Sequence, residues 1–459
     1  MSLHSIHNRI LLLGGIGIFV SFCRKVIQHY SEKNYGEYLK SLQEIKKQRS
    51  LLHRKYRKGE IEEVDVIIIG SGMSGLSCGA ILSRLGYKVL ILEQHHDVCG
   101  GGTHMFELKG YSFDSGLHYT VPWSVPVFAL TCGLKPSDVC PFDLMGDEES
   151  TVDKIYIVPP KRYVVHQTDT RSMSTPFCMK LFEAHIPELY RSFPHEKKAI
   201  DKFLSLAADA MTFVKLFLFS KLLPKWMQKV FWWWVPRRYI NSVATTAKEL
   251  LPSITADKRL ISLLSSMWID TGARPDRASF MMTASVFRGV SMEGGCYPRG
   301  GSSRMAEELV SVIEYFGGQV SIRATVKEIV YDEARRRVSG VRMMDGSVIR
   351  SRRGVVSSCG LLNTYKFLLQ SIPSKLLPPT LESLGVSQSA GFVMCNIGIR
   401  ASAGEIGATN TNTWHIPVDE DGDAFPPLEK YFKSPLDPDN DIPAFITFPS
   451  LKVAFIFWF

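Results

Sequence analysis

Residues 64–69, VDVIII, are apolar at nearly every position, the pattern of a strand covered on both faces of a parallel sheet. The run breaks at Gly70. Leu76, Ala80 and Leu85 then recur at helical spacing, Gly86 interrupts again, and the apolar stretch 88–92 closes on Glu93. The pattern predicts strand, helix, strand over 64–94. It returns after 296 as a glycine turn, a helix with Met305, Leu309, Val312 and Ile313 inward, and the alternating QVSIRATVKEIV. Further strands follow, separated by DEARRRVSG and MDGS. Between the two patterns lie a mixed region of about 105–200 and an unusually apolar tract from 203 to about 240. No repeat or low-complexity segment appears.

The N-terminal stretch reads differently. ILLLGGIGIFVSFC, 10–23, is uncharged and, at fourteen residues, short of the roughly 20 that span a bilayer. It fits a signal sequence or a short anchor. No A-x-A-like site follows it, while the basic residues beyond it favour a cytosolic flank, so sidedness stays open. Residues 37–58 place Leu39, Leu42 and Ile45 on one side of a basic helix, which suits an anionic lipid surface or a solvated spacer.

Charge narrows the partners. The chain of 459 residues carries a net +9, but between Arg24 and Glu60 eleven Lys and Arg stand against four Glu, a net of +7. The remainder is close to neutral, so no nucleic-acid face is expected. Nine cysteines without a CxxC pair argue against zinc ribbons and disulfide scaffolds. HExxH, GxSxG and GxxxxGK[ST] are absent, which removes the usual support for metalloprotease, α/β-hydrolase and P-loop readings. In the tract 203–239, Asp209 and Lys215 make a poor spanning helix. Trp226, Trp232, Trp233 and Trp234 sit among Lys225, Lys229, Arg237 and Arg238, a mixture that suits a lipid–water boundary. A buried helical hairpin is the alternative.

The strongest chemical signal is the loop GSGMSG. Gly70 permits the tight exit from the strand, Gly72 lets backbone approach a pyrophosphate, and Gly75 lets the following helix pack on the strand. The helix N-terminus offers free N–H groups to phosphate, and Ser71 and Ser74 belong to the same binding set. Glu93, 23 residues after Gly70, can accept both hydroxyls of an adenosine ribose and would repel a 2′-phosphate, which disfavours NADP at this loop. The loop alone does not separate NAD from FAD.

CGGGTHMFELKGYSFDSGLHYT, 99–120, follows the acid directly and resembles the signature of the flavin amine oxidase and phytoene desaturase superfamily. EQHHDVCGGGTHMF, FDSGLHY, GGCYPRGGSSRMAEEL and VVSSCGLLNTY, in this order, resemble the retinol saturase branch, related to carotenoid isomerases and desaturases. The resemblance covers about 64–450. It implies an α/β flavoprotein of the two-dinucleotide-binding-domain type. A Rossmann-type FAD-binding domain (61–150 and 291–365) would be interleaved with an α+β substrate domain (151–290 and 366–459). Residues 1–25 would be a signal or anchor and 26–60 a linker.

The resemblance also implies FAD as cofactor, with NAD or NADP as a possible electron source. The substrate would be a retinoid or other polyene lipid reached at a membrane surface, that of the endoplasmic reticulum. The implied reaction saturates the 13,14 double bond of all-trans-retinol; a carotenoid isomerase or desaturase is the alternative. Gly100 and Gly101 would approach the cofactor phosphates, and Val326 would support the adenine. His118 and Tyr119 would lie near the flavin, where a histidine can donate a proton beside an incoming hydride. Tyr297 is either a substrate contact or plain packing. No catalytic residue and no metal site is assigned. The relatives carry a second glycine-rich motif beyond ITFPS, whereas this sequence stops at SLKVAFIFWF. The expectation is a truncated or alternatively spliced product with weak flavin binding and low activity.

Overall fold

The computed structural model describes residues 35–47, 54–146, 151–158, 177–180, 186–221, 223–377, 381, 385–386 and 388–452. The apolar run 10–23 and much of the basic block lie outside the described residues. The elements used below are, in chain order, α1 (Tyr35–Lys47), β1 (Glu63–Ile69), α2 (Met73–Arg84), β2 (Val89–Leu92), β3 (Met105–Leu108), β4 (Tyr111–Asp114), β5 (Phe142–Leu144), β6 (Thr151–Val158) and β7 (Phe177–Lys180). There follow α3 (Lys197–Ser220), α4 (Lys225–Trp234), α5 (Phe280–Glu293), β8 (Cys296–Pro298), α6 (Ser303–Tyr315), β9 (Gln319–Ser321), β10 (Val326–Asp332), β11 (Arg337–Met343), β12 (Val348–Ser357), β13 (Asn412–Pro417) and β14 (Ala444–Ile446).

The fold is α/β, with two compact units built from alternating chain segments. One unit holds Met1–Met105, Val125–Pro141 and Ser302–Pro379; the other holds Phe106–Ser124, Phe142–Gly301 and Thr380–Phe459. The chain enters the second unit at Phe106 and returns to the first at Val125 and at Ser302, whereas the resemblance implied boundaries near 150 and 291. The early crossings escape sequence pattern because Phe106–Ser124 and Val125–Pro141 are short segments.

The first unit is Rossmann-like. Its sheet runs β10-β11-β12-β1-β2-β9. β12, β1, β2 and β9 pair in parallel, and β10 and β11 add an antiparallel edge. Val64, Ile67 and Ile68 of β1 are buried, as a central strand requires. The crossover helix α2 packs closely, since a Cβ at Gly79 would lie 2.7 Å from Ile91 Cδ1. The order reverses beside β1, with β2 on one side and β12 on the other. That switch point, at the carboxyl end of β1, is where such sheets bind ligands.

α1 docks on this unit, which corrects the expectation that the basic helix lies on lipid or in solvent. Tyr38 and Leu42 are buried. The Tyr38 hydroxyl donates to the Cys132 carbonyl at 2.6 Å, and Lys46 pairs with the buried Glu308 at 2.5 Å.

The second unit has a sheet of order β14-β13-β6-β7, with β13 and β6 parallel. Phe203, Phe280, Phe287, Ile155 and Trp414 anchor its core. α3 sends Ala199, Ile200, Phe203, Ala207 and Ala210 into that core, along one face of the helix. Pro194–Ser220 is nonetheless long and apolar enough to cross a membrane by length and composition. α4 differs in kind, having no buried residue.

Candidate functional site

The first unit builds a nucleotide cradle from the loop after β1. Gly70 has φ +96°, and a Cβ there would meet Ser358 backbone at 3.3 Å. At Gly75 a Cβ would lie 2.2 Å from the Gly70 carbonyl oxygen, so any side chain breaks the turn. A Cβ on Gly101 would come 2.8 Å from Gly72 Cα, and residues 72 and 100 form a parallel bridge. The two glycine clusters are thus one cradle. Above Gly72 and Gly102 the space is open, with no atom within 4 Å of a would-be Cβ. The first turn of α2 has no side-chain cap at Gly72, which leaves its N–H groups for an anion.

Ser71 ties the cradle together. Its N–H and hydroxyl donate to Glu93 Oε2 at 2.9 and 2.6 Å, and its oxygen accepts the Gly100 N–H at 3.1 Å. The His95 N–H holds Glu93 Oε1 at 2.8 Å. The carboxylate is therefore fixed at the strand end before any ribose arrives. The Ala324 N–H bonds the Glu93 carbonyl at 2.8 Å, and Val326 follows in the buried core of this unit. Ser74 is exposed on the first turn of α2. Open space, uncapped helix and fixed acid fit the pyrophosphate and ribose of a dinucleotide. Cys99, pushed up to about 12 by burial and then by Glu93, contributes no thiolate.

The second unit contains a buried polar network that no sequence motif announced. Lys452, 3% exposed, donates from Nζ to the His118 carbonyl at 2.6 Å and to Asn412 Oδ1 at 2.8 Å. Asn412 Nδ2 donates to Asp153 Oδ1 at 2.9 Å across the β13–β6 register. Asp153 Oδ2 and the Trp414 indole N–H are buried without a partner of good hydrogen-bond geometry. The indole still lies near enough to oppose the rise that burial imposes on the Asp153 carboxyl. The Tyr119 hydroxyl donates to Asp270 Oδ2. Burial pushes Asp270 up to about 7 and pulls Lys452 down to about 7.

His118 and Tyr119 both stand at this network. The His118 ring packs 5.6 Å from Phe445, its Nδ1 is buried without a partner, and burial followed by Lys452 holds the ring below its usual range. A neutral imidazole is a weak acid, so His118 is poorly primed as a proton donor. Tyr297 is buried, its hydroxyl donating to Asp114 at 2.5 Å. Gly295 serves packing in its own unit, where a Cβ would lie 3.1 Å from Tyr119 Cδ2. The network went unseen because Asp153, Asp270, Asn412 and Lys452 are scattered over 300 positions. Only the fold gathers them. Among the described residues no cluster of His, Cys, Asp and Glu is placed to hold a metal.

Comparison with known proteins places this geometry. A family model described as NAD(P)-binding Rossmann-like domain matches residues 68–130, which include the cradle. All-trans-retinol 13,14-reductase of Homo sapiens is 28% identical over 419 residues, covering 85% of this chain and 62% of that protein. The chain is similar to the all-trans-retinol 13,14-reductases. A Danio rerio protein named inactive all-trans-retinol 13,14-reductase is 27% identical over 417 residues, covering 88% of this chain and 65% of that one. Prolycopene isomerase of Daucus carota is 23% identical over 376 residues, covering 79% and 56%. The chain spans about three fifths of the human reductase, 62% of its length.

Proposed function

We propose that this chain is a flavin-dependent oxidoreductase that saturates a conjugated double bond of a retinoid alcohol, with FAD as the cofactor. The carrying observation is similarity to all-trans-retinol 13,14-reductase over 85% of the chain, across both units. The cradle supports it independently. Bound FAD would supply hydride to a polyene carbon, a neighbouring carbon taking a proton. Gly72, Gly100 and Gly101 would approach its phosphates, Glu93 would hold the adenosine ribose, and Val326 would back the adenine. A nicotinamide nucleotide is the electron source this reading favours.

We also propose that α4 rests on a membrane surface, so that a lipid substrate arrives without crossing water. Trp226 is 70% exposed, Trp233 81% and Trp234 62%, and cations flank them in sequence. Aromatic rings so placed gain from the headgroup boundary. The endoplasmic reticulum is the membrane this reading favours.

A second reading is a non-catalytic nucleotide-binding protein. The zebrafish relative named inactive is about as similar as the human reductase, 27% against 28%. Product analysis decides. The purified chain, its flavin reduced, is supplied with all-trans-retinol and a carotenoid in competition. A saturated retinoid product supports the proposal. A carotenoid product moves the substrate class, and bound flavin without turnover leaves the non-catalytic reading.

A further inference from the structure

Three imidazoles gather where the two glycine clusters of the cradle meet. The His95 ring stacks on His96 with centroids 4.7 Å apart and lies 5.1 Å from the His104 ring. The cluster joins both halves of the cradle. The His95 N–H holds Glu93 Oε1, while the His104 ring and N–H both bond the carbonyl of Gly101, whose backbone closes on Gly72. A titratable ring is thereby fixed beside the turn that would hold the pyrophosphate.

Hydrogen bonding decides which ring can carry charge. Nδ1 of His95 accepts the N–H groups of Asp97 and Val98, both at 3.1 Å, and so bears no proton. Protonating it would sacrifice both bonds, and burial, then His104 and His96, holds the ring below its usual range. His95 is the neutral member. His104 is built the other way. Its Nδ1 lies 2.6 Å from the Gly101 carbonyl oxygen, which only accepts, so Nδ1 carries the hydrogen. Nε2 can then gain or lose a proton without disturbing that bond. The other charged groups around the cluster are paired. Asp97 meets His96 and Arg323, and Glu93 is held by Ser71 and the His95 N–H. On α6, which approaches Gly100 through Ala306, Arg304 pairs with Glu307.

We propose that His104 is a phosphate ligand of the cradle, its imidazolium engaging the pyrophosphate of a bound dinucleotide, so that nucleotide affinity rises with acidity. This rests on the reading of the cradle as a nucleotide site. The glycine N–H groups and the start of α2 serve the same anion at every pH. His104 adds a charge-assisted hydrogen bond only in its protonated form.

Equilibrium titration of the full chain with ADP-ribose, between about pH 5.5 and about pH 8, tests the assignment without requiring turnover. This probe carries the adenosine and pyrophosphate of the dinucleotide, and its phosphate diesters stay ionised throughout, so the protein alone titrates. Wild-type affinity should rise about tenfold toward the acid end. His104→Gln, which can still donate to the Gly101 carbonyl, should bind with the alkaline affinity at every pH. His104→Lys should hold the acid-side affinity throughout. Both variants are checked for native circular dichroism, and if His104→Gln does not fold, a flat profile in His104→Lys carries the same test. Wild-type binding that is flat with pH, or a slope that survives in either variant, would overturn the assignment and leave the cradle as the nucleotide site. A wild-type chain that binds no ADP-ribose at any pH would overturn both.

Discussion

Ser71 sits between two motifs that are 29 positions apart in sequence and makes them one site. It holds the Glu93 carboxylate and receives the Gly100 N–H. Glu93→Ala removes the acceptor for both ribose hydroxyls, and each hydrogen bond to a charged group is worth roughly 1.5–3 kcal/mol. With both lost, FAD or ADP affinity should fall by about 10²- to 10⁴-fold, read by equilibrium titration. Gly75→Ala should abolish nucleotide binding outright, because its Cβ would collide with the Gly70 carbonyl; retained affinity would mean that the turn is not the binding loop.

The Asp270 carboxyl makes a second prediction at this scale. Its value is raised from 3.8 to about 7, so the stability it contributes is present below about 4 and lost as pH rises through about 7. Lys452, lowered from 10.5 to about 7, contributes stability above 10.5 that is lost as pH falls to about 7. The pair gives a minimum near neutral pH. Asp153, raised by burial, acts in the same sense as Asp270. His118, lowered, loses its contribution as pH falls below 6.5, and Tyr119, raised well above 10, acts only in alkali. Asp114 also faces Lys452. Comparing Asp270→Asn with the wild-type chain isolates the one group. Between pH 4 and 7 the variant should gain roughly 1–2 kcal/mol relative to wild type, the full linkage being discounted for Asp270's solvent access. A difference in melting temperature that is flat with pH would contradict the assignment.

Among the elements, α1 and α4 show what sequence pattern carries and what it leaves out. Both read as basic or aromatic amphipathic helices suited to lipid. α1 turned inward because Tyr38 and Leu42 found α6, and because Lys46 met Glu308, which is 2% exposed at its side chain. Lys46→Ala strands that carboxylate and should cost about 3 kcal/mol in urea unfolding; Lys46→Ala with Glu308→Gln should recover part of it. α4 stayed outside. Replacing Trp226, Trp233 and Trp234 together by Ser should weaken co-sedimentation with anionic vesicles about tenfold while leaving the melting temperature unchanged. Undiminished vesicle binding would assign membrane contact elsewhere. The strand–helix–strand of the cradle was legible because its period, glycines and terminal acid are local. The polar network was not, since its members meet only through the pairing of β13 with β6 and the placing of the 118–119 loop.

At the scale of the whole molecule, the strand–helix–strand of a Rossmann-type unit follows from the sequence pattern and the interleaved second unit from the family resemblance, while the crossings at Phe106, Val125 and Phe142 follow from neither. β1 and β2 sit between β12 and β9 in the parallel part of the sheet. The short β5 and β8 segments carry too little periodicity to place their chain in either unit. Function was legible at the cradle, where chemistry and motif coincide within residues 70–102.

The central claim is that reducing equivalents pass from a flavin held by this chain to a polyene alcohol. An anaerobic single turnover addresses it directly. The 459-residue chain, its bound flavin reduced, is mixed with one equivalent of all-trans-retinol, and the spectrum is followed. Reappearance of oxidised flavin in step with a blue shift of the retinoid band, one for one, is the result predicted here. Bound flavin that stays reduced beside an unchanged retinoid spectrum would contradict it.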